Sequence, residues 1–152
     1  MIRSMKNEKG FTLIEVLVAL AILGLIAVAF LMALSTASKA IIIADERTTA
    51  ESLARSQMEY VKNQSYITAP VGGEVIYLKI DASDIPDGYT IWSVNRAGGI
   101  VYGGNNEGII GVPWDSQNNE AVGTDAGLQR IKLVIKHDIK VVLTLEDYKV
   151  NR

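Results

Sequence analysis

Residues 11–34 hold Leu, Ile, Val, Ala, Phe and Met with single Thr and Gly residues, and Glu15 is the only ionisable side chain among them. A run of about 20 apolar residues rising ~1.5 Å each matches the ~30 Å hydrocarbon core of a bilayer. The run therefore predicts a transmembrane helix. Arg3, Lys6 and Lys9 precede it, and that positive excess places the N-terminus in the cytoplasm and everything after Leu34 outside. Beyond the run the pattern changes: residues 36–63 show a stripe of Ile43, Ala50, Leu53, Ala54, Met58 and Val61, with Asp45, Glu51, Arg55 and Lys62 opposite. Spacings of three, four and seven describe a one-sided helix that needs an apolar partner.

Asn63, Ser65, Pro70 and Gly72-Gly73 end that helix, and period-two segments follow. Residues 74–81 (EVIYLKID) and 89–94 (YTIWSV) read as strands about a turn at Asp84-Ile85-Pro86-Asp87-Gly88. Residues 96–127 are rich in Gly, Asn and Asp, broken only by Ile100-Val101-Tyr102 and Ile109-Ile110-Gly111-Val112. They predict a loose connector around one or two short edge strands. The clearest alternation comes last. Residues 128–136 place Ile131, Leu133 and Ile135 on one face and Arg130, Lys132 and Lys136 on the other; residues 139–148 place Val141, Leu143 and Leu145 together. With His137-Asp138 between them, these two runs predict an antiparallel hairpin. The expected fold class is α+β: a long N-terminal helix whose second half packs on a small C-terminal antiparallel sheet.

At 152 residues the chain has room for one membrane segment and one small domain. Setting aside residues 1–10, which carry three basic side chains and one acidic, moves the formal charge from −2 to −4. A mildly acidic body makes no electrostatic case for wrapping nucleic acid, although a small basic patch would not show in the total. There is no cysteine, so no disulfide staples the outer domain. No nucleophile with a base, no phosphate-loop glycine fingerprint and no metal cluster stands out, and neither Gly98-Gly99 nor Gly103-Gly104 makes such a fingerprint. The single histidine, His137, falls in the expected hairpin turn, where solvent exposure is the ordinary outcome. No catalytic residue is assigned, and an enzyme is not expected. Trp92, Trp114, Tyr89 and Tyr102 are candidates for sugar or partner contacts; Tyr89 and Trp92 sit on opposite faces of one strand, and the alternative is that both pack under the neighbouring glycine-rich loop.

Glu15 is the anomaly. An acid at the centre of a membrane helix costs about 2.5 to 3.5 kcal/mol, and the positions three and four residues on are Val18 and Ala19. Either the headgroups and the positive end of the helix tolerate it, or its partner is a cation that is not a side chain: the amine created if the chain is cut before Phe11.

Lys9-Gly10-Phe11-Thr12-Leu13-Ile14-Glu15 followed by an apolar helix resembles the type IV pilin and type II secretion pseudopilin signature. The resemblance covers residues 9–35 and is architectural beyond. It implies cleavage after Gly10 by a prepilin peptidase, methylation of Phe11, and pairing of Glu15 with the N-terminal amine of a neighbouring subunit during filament assembly. The implied segments are a leader at 1–10, a transmembrane and assembly helix at 11–35, its extramembrane half at 36–65 and a β domain at 66–152. The implied partners are other pilin or pseudopilin subunits, the peptidase, and membrane lipid before assembly, with no cofactor. One departure is Met32, where major members usually have proline; the wording of residues 16–24 also looks more like minor members. Major pseudopilins are associated with calcium in a late loop, for which Asp115, Asn118, Asn119, Glu120 and Asp125 offer hard oxygen ligands at a spacing unlike an EF-hand. Two rivals stand beside this reading. One is an uncleaved single-pass anchor carrying a small binding module. The other is a signal peptide cut near Ala33-Leu34-Ser35-Thr36-Ala37, against which the apolar run is too long and holds an acid.

Overall fold

The computed structural model describes residues 11–101 and 108–152, in two compact units that meet in sequence between Ile43 and Ala44. Helix α1 (Leu13–Asn63) supplies the whole described helix of the first unit and opens the second. With no proline in its 51 residues, its hydrogen-bond ladder runs unbroken, through Met32 included.

In the first unit every described residue is exposed. From Val16 to Leu34 the helix is apolar on all sides and has no single face to turn inward. In the second unit α1 buries Ala50, Leu53, Ala54, Gln57, Met58 and Val61, the three-and-four spacing of one helix face. Ile43, expected in that stripe, is instead 51% exposed and belongs to the first unit. Asp45, Glu51, Arg55 and Lys62 are exposed as expected.

The rest is one antiparallel sheet of β1 (Val75–Leu78), β2 (Tyr89–Val94), β3 (Ile100–Val101), β4 (Gly108–Asp115), β5 (Glu120–Ala121), β6 (Leu128–His137) and β7 (Lys140–Val150). The chain is α+β. β6 is the hub. β7 follows its whole length on one edge, while β4 (at Gln129 to Ile131) and β2 (at Leu133 to His137) share the other. β1 lies beyond β4 and β3 beyond β2. Ile131, Leu133 and Ile135 of β6 join Ile91, Tyr77 and Ile109 in a core with the helical stripe. Full burial of each large apolar side chain contributes roughly 1.5–3 kcal/mol.

Two strands differ from the expected pattern. β4 is no edge strand: seven of its eight residues are buried, and it sits between β1 and β6. Its sequence hides this because a strand covered on both faces shows no alternation, and Pro113 argues against an interior strand. Gly111 is required there, since a Cβ would lie 2.8 Å from the Tyr77 ring and 2.9 Å from Val75. In β7 the register shifts between Ile135 and Lys136, leaving Val142 as an extra residue. Leu143 and Leu145 pack on the core, but Val141 falls opposite Lys136 on the other face and is 46% exposed.

Polar side chains tie the helix end to the sheet. The buried Lys149 ammonium donates to the carbonyls of Val61 (2.7 Å), Lys62 (3.0 Å) and Gln64 (2.6 Å), groups that a helix C-terminus otherwise leaves without partners. Two residues earlier on the strand, Asp147 pairs with Lys62. The side-chain amides of Gln57 and Gln64 serve the edge of β1: Gln57 accepts from Ile80 N–H (3.0 Å) and donates to Leu78 C=O (3.3 Å), while Gln64 accepts from Leu78 N–H (2.8 Å) and donates to its C=O (3.0 Å). After the helix, Asp125 gathers the chain by accepting from the Tyr66 hydroxyl, Ala69 N–H (2.9 Å), Gly127 N–H (2.9 Å) and Gln129 Nε2 (2.6 Å). Burial alone would raise the Asp125 pKa, but these hydrogen bonds outweigh it and hold the carboxyl below the usual range.

Lys149→Met leaves three carbonyls unserved and should lower unfolding stability by about 2 kcal/mol, measured by urea titration of the full chain in detergent micelles; an unchanged midpoint would show that water caps the helix equally well. Asp125, with a depressed folded pKa, stabilises above its unfolded value of about 3.9 and loses that contribution as pH falls through the folded value. The Asp125→Asn midpoint should therefore vary less than that of the natural protein between about pH 5 and pH 2.

Candidate functional site

The first turn of α1 is organised by Thr12. Its carbonyl accepts from the N–H of Glu15 (3.1 Å) and Val16 (3.2 Å), and its hydroxyl accepts from Glu15 N–H at 3.4 Å. Thr12 and Glu15 thus stand in the spacing of a capping box. That pairing was readable in the motif, but the eye is drawn to the acid rather than to the threonine three residues before it. Glu15 sits in the first turn, where the positive end of the helix favours a negative charge.

Phe11 is 81% exposed and Glu15 is exposed. Among the described residues no basic side chain forms an ion pair with the Glu15 carboxylate, since the ion pairs found there join Lys62, Lys132, His137 and Lys140 to other acids. Gly10 and the rest of the leader, residues 1–10, lie outside the described residues.

Behind this turn α1 presents an uncovered apolar surface, long and apolar enough to cross a membrane. Two of the hydroxyls that follow bond back to the helix: Thr36 donates to Met32 C=O (3.0 Å) and Ser38 to Leu34 C=O (3.0 Å). Hydroxyls bonded back to the preceding turn suit a helix emerging from apolar surroundings.

The candidate residues of the second unit do not converge. His137 is not a free turn residue: its ring stacks on Tyr89 at 4.6 Å and its Nδ1 lies 3.4 Å from Glu46 Oε1, with Lys140 Nζ 3.5 Å from the other oxygen. Asp115 spends its oxygens on the β4 to β5 turn, accepting from Gln117 N–H (2.8 Å) and Asn118 Nδ2 (2.7 Å). Asn119 takes φ 55° there, and Glu120 begins β5 opposite Asp115. Asp125 belongs to the network that gathers the linker. Among the described residues no group of three or more His, Asp or Glu side chains is placed to hold a metal. Of the residues named for the calcium alternative, Asp115 and Asp125 thus have their oxygens engaged in separate hydrogen-bond networks.

The aromatic residues also scatter. Tyr89 packs toward the helix, its hydroxyl donating to Glu46 C=O at 3.3 Å. Trp92 and Trp114 lie under Lys136 and Arg130 on the other side of the sheet. Tyr102, Gly103 and Gly104, and with them the part of the glycine-rich loop under which Tyr89 and Trp92 were expected to pack, lie outside the described residues.

What remains is the N-terminal helix: a capped first turn, an acid that meets no basic side chain among the described residues, and an exposed apolar surface. No curated protein and no solved structure matches the chain. Residues 5–31 match the family model of the prokaryotic N-terminal methylation motif, so the chain carries the N-terminal signature of the type IV pilins and pseudopilins.

Proposed function

We propose that this chain is a minor pilin or pseudopilin, processed by prepilin peptidase after Gly10 and polymerised through α1 into a type IV pilus-like or type II secretion filament. Residues 1–10 are the leader, 11–35 the membrane and assembly segment, 36–65 its continuation outside the bilayer, and 66–152 the outer β domain. The N-terminus faces the cytoplasm and the β domain lies beyond the membrane. Proteins marked by this motif are structural subunits, and the work of this one is assembly rather than catalysis.

The observation that carries the reading is the pairing of an entirely uncovered apolar helix with one carboxylate in its first turn. In the membrane, lipid solvates the helix; in the filament, the helices of other subunits do. The same exchange supplies the missing cation, because cleavage after Gly10 makes Phe11 Nα an ammonium that can lie beside Glu15 of the next subunit. Pairing offsets the roughly 2.5–3.5 kcal/mol cost of the acid in hydrocarbon. It also selects register, since a shifted neighbour leaves both charges unpaired. The absence of proline at Met32 and the wording of residues 16–24 support a low-copy member.

The mature polypeptide should begin at Phe11, carrying one N-methyl group by mass spectrometry. A mature chain that retains residues 1–10 would point to the uncleaved anchor, and one beginning near Ser38 to a removed signal. Glu15→Ala should leave the precursor in the membrane and the β domain folded while reducing filament incorporation at least about tenfold, the weight of an unpaired buried charge. Normal incorporation of that variant would overturn the pairing. Gly10→Ala should leave the full precursor uncut on a denaturing gel.

A further inference from the structure

We propose that the sheet face turned away from α1 binds an extended acidic segment of a partner protein, with Arg130 and Lys132 taking carboxylates two residues apart and Lys136 a third farther along. The proposal rests on the β domain alone and not on the filament reading.

β6 alternates between its two faces, except that Val134, on the face away from the helix, is buried as well. Gln129, Ile131, Leu133 and Ile135 are buried, the last three in the core against the helix, so Arg130, Lys132, Val134 and Lys136 stand on the opposite face. The two ends of this stripe are held by indole rings. The Arg130 guanidinium lies 3.7 Å from the centroid of Trp114, and Lys136 Nζ lies 3.8 Å from that of Trp92, a geometry that fixes long cationic side chains in place. Such orientation reduces the ordering cost that a flexible surface lysine or arginine meets on binding.

The face is short of acids. Read from the strand registers, its described strand residues include one carboxylate, Glu146, whose Oε2 is 3.5 Å from Lys132 and whose Oε1 accepts from the Tyr148 hydroxyl at 3.2 Å. Three cations therefore face one anion on a chain whose residues 11–152 sum to −4. The imbalance is a local concentration of positive charge that the composition conceals.

Beside the stripe lies a groove of about 350 Å³ lined by Arg130, Lys132, Thr144 and the half-exposed Ile100, with the buried Val94 and Val134 beneath them. Alternate side chains along an extended peptide repeat every 6.6 to 6.8 Å or so, the same advance that separates Arg130 from Lys132 on their strand. An acidic strand-like segment matches that repeat while its intervening side chains meet the groove. A single-stranded nucleic acid has the charge but lacks a platform: Trp114 is 7% exposed, and Lys136 covers a face of Trp92, so the indoles are poorly placed to stack bases.

The full chain in detergent micelles, at low ionic strength, is titrated into fluorescein-labelled (Glu-Thr)4 and followed by anisotropy. Binding is expected, with a weaker signal for the block isomer of four Glu followed by four Thr and none for (Lys-Thr)4. Lys132→Ser with Lys136→Ser should weaken it about tenfold with an unchanged melting curve, because both side chains are on the surface. Equal affinity for the two glutamate isomers, or an unchanged affinity in the double variant, would overturn the proposal. Tighter binding of an oligothymidylate than of (Glu-Thr)4 would overturn it in favour of nucleic acid.

Discussion

One helix has to satisfy two solvents, and the arrangement of the rest of the chain follows from that constraint. From Val16 to Leu34 the side chains of α1 are apolar in every direction, so burial on one side would leave the other bare. From Ala50 the apolar positions narrow to a single face, and a sheet covers that face. The backbone hydrogen bonds do not register the change, because an α-helix satisfies its own peptide groups whatever surrounds it. Only the side chains distinguish the environments. A segment that can move from lipid to a protein lattice without remaking its backbone suits a subunit that leaves a membrane to assemble.

The sheet answers a second requirement, which is to hold on to a helix whose apolar stripe is only six residues long and includes a glutamine. Apolar contact is supplemented by directed bonds: Lys149 and Asp147 of β7 at the helix end, and Gln57 and Gln64 along the edge of β1. The glutamines also solve the edge-strand problem for β1, whose outer peptide groups would otherwise be open to pairing with another chain. The register of helix on sheet is thereby specified by hydrogen bonds that sliding would break.

Much of this was legible in the residues. The limits of β2 and the end of α1 at Asn63 stand where turn chemistry and alternation put them, and the hairpin of β6 and β7 follows from the plainest period-two run in the chain. β4 was hidden because an interior strand has no polar face to set up a rhythm, and because glycine and proline lend it the look of a loop. Gln57 reads in the sequence as an interruption of the apolar stripe, and only its partners, Leu78 and Ile80, give it a role. Val141 was misplaced by a bulge, which no count of alternating residues can detect. At the N-terminus the motif itself carried the functional reading, and the structure added the role of Thr12. The charge of the outer sheet face, in contrast, could not be foreseen from a total in which acids elsewhere cancel it.

Lys149 has a temporal meaning as well. The carbonyls it serves lie at least 85 positions earlier in the chain, so during synthesis the apolar stretch of α1 emerges long before the lysine that finishes its far end. Contacts of such long range are slow to form, and the helix terminus must wait, frayed, for the final hairpin. The apolar helix is thus complete in sequence long before its far end can be capped, an order written into the distance between a helix and its cap.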